Sequence, residues 1–190
     1  MTIPNLGTTA IGQPITRCGI SLFPLYLTDN DLPDMATGPA AGITIDEMPA
    51  ASVPQLVVTN PTDRPILLVE GEAFVGGQQN RTINVSVLVP SGATLEIPVS
   101  CLERGRWGHG RHFEHGATFT PRRVRRTKQE AVAMSMATAG SRHSNQGAVW
   151  GAIDQELTDL AVQADTRAMA DADATFNRDQ HRFDAVEELS

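Results

Sequence analysis

A chain of 190 residues with a net charge of −7, two cysteines (Cys18 and Cys101) and no long apolar run reads as one domain with a real core. It offers neither a membrane span, which takes roughly 18 apolar residues, nor enough thiols for a disulfide framework or a cysteine-based zinc site. Residues 1–100 carry 3 Arg against 9 acids, residues 101–128 carry 8 bases against 2 acids, and residues 129–190 carry 4 Arg against 11 acids; one basic band in an acidic chain argues against nucleic acid and for a small anion such as a phosphate, or else for an Arg-rich helix start paired with its own protein's acids.

The N-terminal MTIPNLGTTAIGQP lacks the basic and apolar regions of a leader, so a cytoplasmic location away from membranes is expected. The first half then reads as β. Residues 19–27 alternate well enough for a strand, with Pro24 at an edge or a bulge. Residues 28–42 are loop by composition, 43–48 a short strand, and 55–59 (QLVVT) another. A turn at 60–63 (NPTD) precedes a strand from 65 to 72; 82–89 is a strand closed by Pro90, Ser91 and Gly92, and 94–102 completes the set. The second half reads as helix. Thr120 is placed to cap a helix with Pro121 at its first position, running to a stop at Gly140. Ser144 is placed to cap a second, with Val149, Ile153, Leu157 and Leu160 on one face. A third follows Thr166 and spaces Met169, Phe176 and Phe183 by seven. Strands followed by helices give an α+β class: an antiparallel β-rich N-terminal half, sandwich- or barrel-like, and about three α-helices. We read one domain over 1–190, β-rich at 15–103, a basic loop at 104–119 and helical at 120–190.

The stretch EGEAFVGGQQNR at 70–81 follows an apolar run and carries two acids, a glycine pair, three amides and an arginine. Successive strand side chains point to opposite faces, so Leu68, Glu70 and Glu72 are expected to share a face and the two acids to project together. Gly76 and Gly77 permit a tight turn. Beyond it Gln78, Asn80, Thr82, Asn84 and Ser86 form a polar ladder, either the solvent face of a sheet or part of a site. Arg81 instead shares parity with Ile83, Val85, Val87 and Val89 and points at the core. An inward arginine needs a carboxylate or a bound anion, since an uncompensated buried charge costs several kcal/mol; Glu70 or Glu72 can supply it.

On 94–103 an apolar row, Leu95, Ile97 and Val99, ends in Cys101 and Glu103. Cys101 is either a small buried hydrophobe or a thiol nucleophile stabilised by Arg104, Arg106 or His109. Glu103 stands where an apolar strand meets the basic band, suited to general acid–base work or to pinning Arg106. The loop RWGHGRHFEH at 106–115 places His109, His112 and His115 at intervals of three, a weak metal signal because interspersed glycines oppose a helix and no HExxH pattern is present. Arg106, Trp107 and Arg111 suit an anion or a stacked base better, the other reading being an ordinary mobile surface loop.

These blocks together, 68–81, IPVSCLERGRW at 97–107 and NQGAVW at 145–150, resemble the ARG and rhodanese-phosphatase-superfamily-associated protein domain family, in which "ARG" denotes ADP-ribosylglycohydrolases. The resemblance implies a role in the metabolism of ADP-ribose or another NAD-derived nucleotide. It implicates Glu72, Gln79, Asn80, Arg81, Cys101, Glu103, Arg106 and Trp107. It also implies a C-terminal segment beyond Ser190, absent here or replaced by a partner subunit, so that a homo-oligomer is one expectation.

Three functions are consistent with these residues. In an enzyme acting on a small phosphorylated ligand, Arg81, Arg106 and Arg111 hold phosphate, Trp107 stacks, Gln79 and Asn80 orient hydroxyls, and Glu72, Glu103 or Cys101 does the chemistry, with no cofactor expected. In a sensing module the same groups bind without turnover. In a structural or assembly protein they are buried tie-points.

Overall fold

The computed structural model describes residues 9–17, 20–27, 34–50, 52–105, 108, 110–162 and 166–176. The chain forms two compact units, one of residues 1–33 with 174–190 and one of residues 34–173. In the first, strands β1 (Thr9–Ile11), β2 (Ile15–Arg17), β3 (Ile20–Leu22) and β4 (Leu25–Leu27) pair antiparallel as β1–β4 and β2–β3. Pro24 has no N–H to donate, and the strand expected at 19–27 breaks there; the Pro24 carbonyl accepts from Gly12 N at 2.8 Å.

The second unit holds β5 (Ala36–Thr37), a 3-10 turn (Pro39–Ala41), β6 (Thr44–Glu47), β7 (Gln55–Thr59), β8 (Ile66–Leu68), β9 (Glu72–Gly76), β10 (Arg81–Ile83), β11 (Val87–Val89), β12 (Thr94–Cys101) and β13 (His112–Phe119), then α1 (Arg122–Ala139), α2 (Gln146–Asp159) and the start of α3 (Met169–Phe176). The α+β reading holds, and its β part is a closed antiparallel barrel in the order β10-β12-β7-β6-β13-β9. A short sheet β11-β8-β5 lies alongside. Leu56, Val58, Ile45, Phe74, Ile83, Ile97, Val99 and Phe113 of the barrel share one core cluster with Ile66, Leu68 and Val89 of that sheet.

Two of the expected strands are each two strands. The run 65–72 breaks at a turn in which Glu72 N donates to Val69 O and Gly71 adopts φ +91°, a left-handed conformation that glycine reaches without steric penalty. Its first part, β8, pairs with β11 and β5, while its second, β9, joins the barrel. The run 82–89 likewise splits between β10 in the barrel and β11 beside it. Glu70 and Glu72 therefore lie on either side of a turn, and the five-residue ladder is interrupted.

The expected loop at 104–119 contains β13, which closes the barrel between β6 and β9. Glycine does not prevent this: Gly116 lies so close to β9 that a Cβ there would meet Ala73 O at 2.9 Å. The helices begin slightly differently from the expectation. Pro121 is the N-cap of α1, and Thr120 donates its hydroxyl to Thr82 Oγ1 at 2.8 Å. Asn145, not Ser144, caps α2, its Oδ1 accepting Ala148 N at 3.1 Å. Gly140 ends α1 as expected, at φ +63° with its N–H on Met136 O.

The helical layer covers one outer face of the barrel and uses polar contacts to do so. Ser100 donates to Asn84 Oδ1 at 2.6 Å, and Asn84 Nδ2 donates to Arg142 O at 3.1 Å. Lys128, wholly buried, reaches from α1 to Ile83 O and to Glu70 Oε1 at 2.6 Å. Thr82 and Asn84 are thus not a solvent face, whereas Ser86 is exposed.

Candidate functional site

Residues directly opposite in an antiparallel ladder share a face, so the register states what lines the barrel. Arg81 pairs with Cys101 and with Phe74, and Ile83 with Val99. The inward direction expected for Arg81 is what the structure shows, at 1% exposure. Its carboxylate partner is neither Glu70 nor Glu72 but Glu47, whose Oε1 lies 3.7 Å from Arg81 Nη2. Parity with Ile45, inward on the same short strand, carries the signal for Glu47.

The mouth of the barrel where β9 ends and β10 begins is built from the 76–80 turn. Gly76 and Gly77 have φ of +122° and +52°, and a Cβ on Gly77 would fall within 2.1 Å of the Phe113 ring, so this close approach requires glycine. Side chains then hold the turn from within. Asn80 Oδ1 accepts Gly76 N at 2.9 Å, Glu47 Oε1 accepts Gln78 N at 3.0 Å, and Glu103 Oε1 accepts Asn80 N. Gln79 is fully buried; its Nε2 donates to Glu103 O at 3.3 Å, and Arg81 Nη1 donates to its carbonyl at 3.0 Å. Arg81 Nε, also buried, has no hydrogen-bond partner among the described residues.

Cys101 lies in the same neighbourhood. Its thiol is pushed up to about 11, first by burial and then by the nearby Glu47 and Glu103 carboxylates, against the opposing Arg81 guanidinium. It is therefore held protonated at neutral pH, unlike the depressed thiols that act as nucleophiles. Two clefts flank the 76–80 turn. One, of about 260 Å³, is lined by Glu47, Met48, Pro49, Gln78, Gly108, Gly110 and Arg111. The other, of about 330 Å³, includes Gly76, Asn80, Glu103, Thr166 and Asp171 in its lining. Arg111 is exposed and has no ion-pair partner among the described residues.

The structure thus brings Gln79, Asn80, Arg81, Cys101 and Glu103 to one mouth and sets Arg111 at its rim. Glu72 is elsewhere: it begins β9, two positions before Phe74 and away from the 76–80 turn, and it bonds His115 Nε2 at 2.9 Å. Both side chains are buried, and the hydrogen bond to Glu72, outweighing desolvation, raises His115 above its ordinary value. His112, three residues earlier on β13, is 89% exposed beside Asp46, so these two histidines do not converge. Among the described residues no three His, Cys, Asp or Glu are grouped to hold a metal. Arg106, Trp107 and His109 lie outside the described residues, as do Cys18 and Phe183.

Glu47 and Asp154 were absent from the sequence reading, and Gln146 and Trp150 entered it only within the NQGAVW block, with no role of their own. Gln146 and Trp150 sit in the NQGAVW block, where a four-residue helical spacing puts them on one face.

The chain belongs to the ARG and Rhodanese-Phosphatase-superfamily-associated Protein domain family, whose model matches residues 8–190. No curated protein and no solved structure matches it. Among the described residues no helix is long and apolar enough to cross a membrane.

Proposed function

We propose that this mouth binds a small phosphorylated nucleotide metabolite of the ADP-ribose type. The observation carrying this reading is the convergence of inward-facing Glu47 and Arg81 with Glu103 around a glycine turn flanked by two clefts. Ions taken out of water can lose more than their pairing returns, so stability alone gives little reason to place three charged side chains at this end of the barrel. The exposed guanidinium of Arg111 is the phosphate ligand, through bidentate charge-assisted hydrogen bonds. Arg81, engaged by Glu47 and Gln79, fixes the turn and adds positive potential. Asn80, Glu103 and Asp171 line the second cleft, which is the place for the ribose. The family's association, by its name, with ARG proteins is the reason for choosing ADP-ribose as the probe.

Glu103 is the group suited to proton transfer if the ligand is turned over, while the protonated Cys101 favours a sensing module over covalent catalysis. The test is thermal denaturation with ADP-ribose: a ligand at a hundred times its Kd adds about 2.7 kcal/mol of apparent stability. The wild type is expected to gain and R111A to lose that gain, with E103Q keeping the ligand but losing any turnover. No shift with ADP-ribose at millimolar concentration refutes the proposal.

A further inference from the structure

Antiparallel pairing of β10 with β12 ends at Arg81 and Cys101. One step on, Leu102 N still donates to Asn80 O at 2.8 Å, but Asn80 N donates to the side-chain carboxylate of Glu103 instead of to a strand carbonyl. The backbone groups left open on both edges of this strand end are taken from outside. Gln146 Nε2 donates to Cys101 O at 3.0 Å while its Oε1 accepts Cys101 N at 2.8 Å, so one side-chain amide completes the strand edge as a neighbouring peptide would. Met169 N donates to Leu102 O at 3.1 Å. Trp150 Nε1 donates to Glu103 O at 3.2 Å, and its ring lies under the Arg104 guanidinium at 5.2 Å. Asp154 Oδ2 is 3.6 Å from Arg104 Nη1.

Gln146, Trp150 and Asp154 are spaced by four and form one stripe along α2. They engage residues 101, 103 and 104 in order. Glu103 is therefore held by its backbone on one side and by Arg104 next to it, and its carboxylate is the part turned to the turn at 76–80. We infer that this stripe is a positioning device: Gln146, Trp150 and Asp154 aim the Glu103 carboxylate at the ligand mouth, making α2 part of the site without touching the ligand. The inference rests on the proposed ligand reading for its purpose, though not for its geometry.

W150F removes the indole N–H together with its pyrrole ring and keeps one aromatic ring under Arg104. Amide exchange of Asn80, whose N–H reports the Glu103 carboxylate directly, is followed by NMR on the 15N-labelled full chain. It is expected to speed up about five- to tenfold, the worth of one ordinary hydrogen bond, while β6–β7 ladder amides change little. D154N, on the exposed side of the stripe, is the second variant should W150F fail to fold, with a smaller rise at the same amide. In either variant the stabilisation by ADP-ribose falls. If Asn80 exchange stays at the wild-type rate, or rises only in step with the β6–β7 amides, the stripe is merely structural and the inference is wrong. If the wild type gains nothing from ADP-ribose while Asn80 responds selectively, the ligand reading fails and the positioning stands.

Discussion

Glu70 offers the sharpest test of how the helical layer is attached. Its Oε2 accepts Arg125 Nε at 3.1 Å, Arg125 Nη2 at 2.7 Å and Gln129 Nε2 at 2.6 Å, and its Oε1 faces Lys128 Nζ at 2.6 Å. Burial alone would raise this carboxyl; the hydrogen bonds from Arg125, Lys128 and Gln129 and the Lys128 charge outweigh it and hold Glu70 below its ordinary value. Lys128 is lowered, foremost by burial and despite Glu70. E70A therefore leaves a wholly buried ammonium with the Ile83 carbonyl and the repulsion of Arg125. Breaking such a pair costs about 3–5 kcal/mol. The upper end agrees with the limit set by deprotonation: taking a lysine from its ordinary 10.5 to neutral pH spans about 3.5 pH units, roughly 5 kcal/mol. At about 2–4 °C per kcal/mol for a chain of this size, Tm at pH 7 falls by roughly 6–20 °C in a circular-dichroism melt. E70A/K128M removes both charges and is expected to recover most of that loss, because replacing a whole buried pair with apolar groups is often neutral. K128M alone costs little, since Glu70 keeps Arg125 and Gln129. A loss below about 1 kcal/mol in E70A, or a double variant no better than the single, refutes the reasoning.

The Glu47–Arg81 pair follows the same logic inside the barrel: E47Q is expected to cost about 3–5 kcal/mol in urea denaturation, and adding R81M to restore most of it, whereas two additive losses would show that the charges do not depend on each other. The folded protein raises His115, so the stability it contributes through Glu72 is fully present below the unfolded value near 6.5 and disappears as pH climbs through the folded value. Wild type minus H115Q, compared by melting from pH 5.5 to pH 9, should shrink with rising pH; a difference that grows would reverse the assignment. In a C18S background Cys101, buried and raised to about 11, should resist a thiol reagent at pH 8 until denaturant opens the barrel. Rapid stoichiometric labelling of the native protein would overturn that expectation.

What the sequence disclosed followed parity. Leu95, Ile97 and Val99 alternate, and the same alternation carries Cys101 and, past the strand's end, Glu103 into the mouth; Arg81 among apolar neighbours was legible as inward for the same reason. Parity fails where the chain changes sheet. The runs 65–72 and 82–89 each show continuous β character because both halves are strands, and only Gly71 and the polar pair Asn84 and Ser86 mark the breaks at which a new sheet resets the faces. β13 was read as loop because its residues have poor intrinsic strand preference; β6 and β9 supply the pairing that overrides it.

The hidden parts of the site share that origin. Glu47 meets Arg81, and α2 meets the 101–104 segment, through barrel closure and helix docking between segments far apart in the chain. Local pattern states which side chains face inward, not which ones arrive opposite them. The same closure explains why polar groups are affordable at this mouth: each strand end that cannot continue its ladder leaves N–H and C=O groups to be satisfied, and Glu103, Asn80, Gln79 and Gln146 satisfy them. A mouth finished by side chains rather than by further strand keeps a carboxylate where a carbonyl would otherwise sit. That exchange leaves the Glu103 carboxylate at the end of the sheet, where the proposed site takes it up.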